Sequence, residues 1–419
     1  MPAAQRSLAR RGAGASALIA VAAMAALAAA SVPLATPSRP APRAYALAPW
    51  FDGLRLPVAV VAVPDHPDRW LAVQLEGLLI DVRDGVPREP PFLDLRHRVT
   101  GLEGEQGLFS AALEPRDRAL ARDRARHVVA AFSERDTGDL VVAAYPIDEA
   151  AWLADGTAEV EVLRVPMPDP FHHGGFVRFG PDGLLFATIG DGSAAIDPAV
   201  ERSGGAASPS VWRGKVVRVE LLPTADRAPA YLVPADNPFA SGRAATGGAA
   251  RPEVWAYGFR NPWKLTFDPA TGEAIVADVG ADRWEEVHRV VPGGDHGWPA
   301  REGRECVLLP DGTLLDPTCG ERADVAPWIA YGHLALDPDG GQAVVGGVVV
   351  RDPQLPELAG RYVFGDFVSG RVWAYDPVAD RRELLVDAGP GISAVDEGPR
   401  GEVLIVTLAG SVRRLVRER

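Results

Sequence analysis

The sequence predicts an all-β fold, a six-bladed β-propeller of four-stranded antiparallel sheets. Three observations predict it. Sustained helical periodicity is almost absent beyond the Pro/Ala-rich stretch that follows the N-terminal apolar run. One pattern, a polar turn, a short β-rich run, a tight Gly or Asp turn and a second β-rich run, returns six times. The segments between the runs are rich in Gly, Pro, Asp and Ala rather than in helix formers.

The six occurrences are residues 70–82 (WLAVQLEGLLIDV), 128–145 (VVAAFSERDTGDLVVAAY), 184–189 with 215–221, 273–291, 361–375 (RYVFGDFVSGRVWAY) and 402–416 (EVLIVTLAGSVRRLV). Apolar and β-branched residues fill each run, as expected for two strands inside a sheet. Radial repetition of such sheets leaves only short protected edges around a central channel. A pair of β-sandwiches is the competing architecture, but it does not require the unit to recur so often. Spacing widens between the third and fifth units, and the excess reads as loops on one face, where propellers build their sites.

Composition narrows the function classes. The 419 residues are 47% hydrophobic and 24% charged, which describes a globular chain. Lys and Arg number 43 against 56 Asp and Glu, a net charge of −13. No basic block follows the first dozen residues, so a nucleic-acid backbone is excluded as partner. Only Lys215 and Lys264 are lysines. Arg6, Arg10 and Arg11 precede an uncharged stretch, residues 12–38, whose alanine-dominated apolar part ends in small residues near Ala28–Ser31. That is the pattern of a secretory signal, with a retained membrane anchor as the alternative. The expected organisation is therefore a signal peptide or anchor at 1–32, a Pro/Ala-rich linker at 33–48 and the propeller at 49–419, placed outside the cytoplasm. In that setting Cys306 and Cys319 read as a disulfide closing a short loop, since two thiols do not complete a zinc sphere.

Three constellations carry chemistry. In 171–196 (FHHGGFVRFGPDGLLFATIGDGSAAI), His172 and Asp191 flank a turn that can bring them together. A carboxylate on one imidazole nitrogen leaves the other as a general base, although a histidine merely satisfied near a turn fits as well. The Gly pair after the histidines reads as a place where a ligand approaches the backbone. In 253–269 (EVWAYGFRNPWKLTFDP), Arg260 and Asn261 offer fixed donors to a planar oxygenated ligand, or serve a core of aromatic residues. In 277–299, Asp278, Asp282, Glu285 and Glu286 with the turn at Gly293 and Gly294 supply hard oxygens of the kind calcium prefers, though no EF-hand loop occurs and charged surface turns look alike.

Together with GEQGLFSAALEP (104–115), GKVVRVEL (214–221), NPF (237–239), DVGADRWEEV, GGDHGWP and the long segment 344–377, these stretches resemble the glucose/sorbosone dehydrogenase family, soluble six-bladed propellers that include aldose sugar dehydrogenases using pyrroloquinoline quinone (PQQ). The resemblance implies His172 as catalytic base and Asp191 as its orienting carboxylate. It puts Glu105 where a glutamine commonly contacts substrate or cofactor, and Arg260 and Asn261 against the quinone. It further implies that the carbonyls of Gly280 and Ala281 hold a catalytic Ca²⁺, and that Glu286 with the carbonyl of His296 holds a structural one. The substrate is then a small aldose, its anomeric hydroxyl is oxidised to a lactone, and the electron acceptor is unknown.

The resemblance breaks at the cations. Sugar-oxidising members hold the three PQQ carboxylates with a lysine in the fifth unit and two arginines in the sixth. Here the fifth unit carries Ser369, Gly370 and Arg371, and residues 389–394 of the sixth carry no cation. Arg371, Arg260 and Arg351 are the candidates to compensate. An unpaired desolvated carboxylate costs several kcal/mol, so a second reading stands beside the enzyme: a non-catalytic binding module like the propeller of the hedgehog-interacting protein.

Overall fold

The structure, a computed structural model, describes residues 44–64, 66–100, 103–117, 124–193, 205–223, 229–309 and 311–418. The apolar leader and the first part of the linker lie outside the described residues. Six antiparallel sheets form six blades. Blade 1 is built on Pro57–Ala62, Arg69–Gln74 and Leu78–Arg83. Blade 2 is built on Leu108–Leu113, His127–Ser133, Leu140–Asp148 and Val160–Val165. Blade 3 uses Gly174–Phe179, Leu185–Ile189, Lys215–Leu221 and Val254–Tyr257. Blade 4 uses Pro262–Phe267, Ala274–Asp278, Trp284–Arg289 and Ile329–Gly332. Blade 5 uses Val344–Val349, Tyr362–Asp366, Arg371–Asp376 and Arg381–Asp387. Blade 6 combines Ile392–Glu397, Val403–Thr407 and Ser411–Arg417 with Tyr45–Phe51 from the other end of the chain.

The recurring units of the sequence are the second and third strands of each blade. Sheets on either side cover most of both their faces, so these runs are largely apolar: all seven residues of His127–Ser133 are buried, five of them apolar. Blades 1, 2 and 3 depart from four strands by adding a short fifth. A larger departure is at the N-terminus. Tyr45–Phe51 pairs antiparallel with Ser411–Arg417, with Tyr45 opposite Arg417, so residues 45–48, expected as linker, are strand. This pairing closes the ring by joining the two ends of the chain in one sheet.

The first strands of the blades neighbour one another in a ring around the axis. Each begins with an irregular register against its own second strand, as at Leu108/Ser110, Pro262/Lys264 and Val344/Gly346. Such bulges turn side chains out of the regular alternation. One consequence is Lys264, fully buried on the first strand of blade 4, whose ammonium donates to Asp396 on blade 6. The other oxygen of Asp396 accepts the backbone N–H of Val60 on blade 1 at 2.8 Å. The lysine passes Gly346 of blade 5, where a Cβ would sit 2.7 Å from the Cβ of Lys264 and where φ is 75°. Glycine is therefore required there on two counts. Burial pushes the Lys264 ammonium below its ordinary pKa, and Asp396 opposes that shift.

Cys306 and Cys319 form the expected disulfide, with Cα atoms 6.0 Å apart. It staples the long excursion between the third and fourth strands of blade 4, which also contains the ribbon Arg301–Glu302 with Glu305–Cys306.

Asp396→Ala leaves the Lys264 ammonium buried without a partner and is expected to cost about 3–5 kcal/mol in urea unfolding. The double change Lys264→Met with Asp396→Asn removes both charges and keeps an acceptor for Val60, and should recover most of that loss.

Candidate functional site

The site forms where the first strands begin. Glu105 precedes Leu108–Leu113, His172 precedes Gly174–Phe179, and Arg260 with Asn261 precedes Pro262–Phe267. Asp191 and Asp278 come at the ends of second strands that run back to the same end of the ring. His172, Asp191, Asn261 and Asp278 are all buried.

The imidazole of His172 places Nδ1 2.9 Å from Asp191 Oδ1. Its Nε2 has no partner among the described residues. Asp191 is itself held, because its Oδ1 accepts the Ser193 N–H at 3.0 Å and its Oδ2 accepts the Trp298 indole N–H at 2.9 Å. His172 has φ 51°, in the left-handed region. The adjacent His173 is different. Its Nε2 meets the carbonyl of Asp169 at 3.0 Å and its Nδ1 the Ser133 hydroxyl at 2.9 Å, so the ring is a neutral tautomer with both nitrogens occupied. Burial pushes its pKa down.

The Gly174–Gly175 pair does not face a ligand. A Cβ on Gly174 would lie 2.9 Å from the Gly190 nitrogen and one on Gly175 would lie 2.4 Å from the Phe109 ring. The pair serves protein packing instead, letting strands and an aromatic ring approach closely.

Glu105, Asn261 and Asp278 form a brace beneath the histidine. Glu105 Oε2 accepts the His172 N–H at 2.9 Å and the Asn261 amide at 3.2 Å. Asn261 Oδ1 accepts the Gly174 N–H at 3.1 Å, and Asp278 accepts the backbone N–H groups of Arg260 and Asn261 at 2.9 and 2.7 Å. The Arg260 guanidinium donates to the carbonyl of Val279 at 3.0 Å and lies 5.6 Å from the Trp298 ring.

The other cations are committed elsewhere. Arg371 donates to the carbonyls of Pro338 and Gly340 at 2.8 and 2.7 Å. Arg351 follows its first strand rather than preceding it, and pairs with Asp268 at 2.6 Å on the opposite end of the ring. Lys215 is buried among the carbonyls of Ala206, Arg213 and Gly214.

The four carboxylates read as hard donors do not converge. Asp278 belongs to the brace, Asp282 is exposed, and Glu285 bonds His333 at 2.8 Å and the Val344 N–H at 2.9 Å. Glu286 bonds His288 at 2.7 Å and the N–H of Gly303. Among the described residues no group of three or more His, Cys, Asp or Glu side chains is placed to hold a metal. Burial raises Asp278 and Glu286 well above ordinary carboxylates and pushes His288 down to about 3. His288 and His296 meet through Nδ1 at 3.2 Å, and the His296 ring stacks on Phe259.

Gly280 and Ala281 lie in a turn organised by a residue that the sequence did not single out. Glu302 Oε1 accepts four successive N–H groups, those of Ala281, Asp282, Arg283 and Trp284, at 2.8–3.0 Å. Trp298 was likewise unassigned. Both lie on the excursion after the third strand of blade 4, and nothing local in their sequence announces the contact.

A family model described as Glucose / Sorbosone dehydrogenase matches residues 54–417. The HIPL1 protein of Arabidopsis thaliana is 33% identical over 51% of the chain and 31% of its own length. The mouse Hedgehog-interacting protein is 26% identical over 75% of the chain and 42% of its own length. The chain thus spans less than half of these relatives. The apo-form structure of the Escherichia coli soluble aldose sugar dehydrogenase superposes with a TM-score of 0.69 at 21% identity, covering 89% of this chain and all of that one.

In an NMR titration, the His288 ring should stay neutral from pH 8 through pH 5, where an exposed histidine is almost wholly protonated. Glu302→Ala should release hydrogen-exchange protection at Ala281, Asp282, Arg283 and Trp284 while leaving the central strands of the other blades protected.

Proposed function

The chain belongs to the glucose/sorbosone dehydrogenase family, and from that premise we propose that it is an exported oxidoreductase acting on the anomeric hydroxyl of aldose sugars. The observation that supports this is the asymmetry of the two histidines. His172 alone has one nitrogen fixed by a carboxylate and the other unpartnered at the end of the ring.

In this reading the sugar hydroxyl donates to His172 Nε2, which takes its proton as the carbon is oxidised. Asp191 holds the ring with Nδ1 protonated and balances the imidazolium that forms. Trp298 and the Ser193 N–H keep Asp191 in place and disperse its charge. Glu105 fixes the backbone of His172, which sets where Nε2 points. Oxidation to a lactone also removes a hydride, which a two-electron acceptor must receive.

PQQ and Ca²⁺ are what the family implies for that role. The residues present do not fit a tricarboxylate held in the family's manner. Both lysines are buried and partnered, Arg371 is bound to two carbonyls and Arg351 is at the other end, which leaves Arg260 and Arg213 near the base among the described residues, Arg260 on the carbonyl of Val279 and Arg213 on that of Asp191. Glu105 adds a carboxylate beside them where glutamine is common. Carboxylates of a cofactor would lack partners there, at a cost of several kcal/mol. The same mismatch favours a second reading, a binding module without redox activity, which the likeness to the hedgehog-interacting protein supports.

The test is reconstitution of purified protein with Ca²⁺ and PQQ, followed by dye reduction with a panel of aldoses. Turnover is expected, reduced about 10²–10⁴-fold in His172→Ala. His173→Gln should lower the melting temperature and leave the dependence on His172 intact. Absence of dye reduction with every aldose even at millimolar PQQ, where mass action offsets a weak hold on the cofactor, removes PQQ-dependent sugar oxidation and favours the binding module. Trp298→Phe removes one charge-assisted bond to Asp191 and should cost about 1.5–3 kcal/mol of stability, read by urea unfolding without any cofactor.

A further inference from the structure

A cavity lies on the outer strands where blades 4 and 5 meet, and neither His172 nor Asp191 lines it. Its volume is about 450 Å³, within the range of about 300–1,000 Å³ typical of ligand sites. Trp284, Trp328 and Tyr375 form its aromatic walls, and Arg304, Arg381 and Arg382 stand among them. Trp328 meets Tyr375 edge-to-face with ring centres 5.0 Å apart, and the guanidinium of Arg289 lies 4.2 Å from the Trp328 ring, so this wall is braced before any ligand arrives.

The charges of the cavity are unevenly committed. Arg382 pairs with Asp337 and lies over Tyr331 and Trp373. The side chains of Arg304 and Arg381, both exposed, make no hydrogen bond or ion pair among the described residues, although Arg381 stands opposite Asp376 and lowers its pKa. Two carboxylates also line the cavity, and each uses one oxygen. Glu305 Oε2 binds Arg283 at 3.0 Å, and Asp380 Oδ1 accepts the Tyr375 hydroxyl at 2.6 Å. Their second oxygens remain free among the described residues. The Trp284 indole N–H is shielded from solvent and has no acceptor among the described residues, an arrangement uncommon for a buried donor.

We propose that this cavity binds an acidic saccharide, a uronic acid residue or a short chain of them. Aromatic faces pack against the C–H face of a pyranose ring, and free guanidinium groups grip a carboxylate through paired N–H donors. The free oxygens of Glu305 and Asp380 accept sugar hydroxyls, which an aromatic carboxylic acid does not possess. In a chain of net charge −13, the three guanidinium groups of Arg304, Arg381 and Arg382 outnumber the two carboxylates that line the cavity, a local balance opposite in sign to the whole chain's. The inference is independent of the redox reading.

The test is calorimetry and tryptophan fluorescence with digalacturonate, neutral galactobiose and benzoate as probes, on the full chain and on His172→Ala. Digalacturonate should saturate and quench, equally in His172→Ala. The pair Arg304→Ala with Arg381→Ala, at exposed unpartnered positions that do not hold the fold, should weaken it at least tenfold, and galactobiose should bind at least tenfold more weakly. Trp328→Ala should abolish the quench; should that variant not fold, the arginine pair decides alone. Failure of digalacturonate to saturate, indifference to the arginine pair, or benzoate binding as tightly as digalacturonate would each overturn the proposal. Loss of dye reduction in the reconstituted protein would leave it standing.

Discussion

A ring of sheets is stable only when its last blade is tied to its first. Here the tie is the antiparallel pairing of Tyr45–Phe51 with Ser411–Arg417, which brings both ends of the described chain into blade 6. Without it blade 6 would present a bare edge to water and neighbouring blades would lose part of their cover. The axis is tied separately. Lys264 crosses from blade 4 past the glycine of blade 5 to Asp396 of blade 6, and Asp396 reaches Val60 of blade 1. Four blades are coupled through one buried ion pair, whose strength depends on each partner keeping the other's charge balanced.

Closure decides where chemistry sits. Because all the first strands run the same way round the axis, the residues just before them gather at one end. That is why Glu105, His172 and Asn261 are within hydrogen-bonding reach of one another although 156 residues separate the first from the last. Bulges at the starts of the strands loosen the alternation at that same end. Buried carboxylates there are satisfied by backbone N–H groups rather than by cations: Asp278 takes two and Glu302 four. Such an end can position a base and a turn precisely. It is poorly equipped to neutralise an incoming anion.

The groups around the histidine and the cations are therefore disposed differently. His172 is held by Asp191, and Trp298 donates to that carboxylate from behind. Cations elsewhere in the ring are engaged by the protein itself, Arg371 with loop carbonyls and Lys264 with Asp396 in the axis. Free guanidinium groups occur instead on the outer rim, at Arg304 and Arg381, so capacity for anions has not vanished from the molecule but lies elsewhere.

The blade pattern and the pairing of His172 with Asp191 could be read from the residues alone. The second and third strands of most blades, such as His127–Ser133 with Leu140–Asp148, are largely covered on both faces, and double burial writes a mostly apolar run that needs no structure to be read. His172 and Asp191 were legible because a single hairpin turn separates them. What stands behind them, and where the cations go, follow from the closing of the ring. Trp298 reaches Asp191 across 107 residues, Glu302 gathers the N–H groups of a turn some twenty residues earlier, and Tyr45–Phe51 finds its partner at the opposite end of the chain. The Gly174–Gly175 pair likewise read as room for a ligand until Phe109 and Gly190 were seen to fill it. Contacts of that span are set by how the ring closes, and a local stretch of sequence carries the residue type but not the neighbour that closure will bring to it.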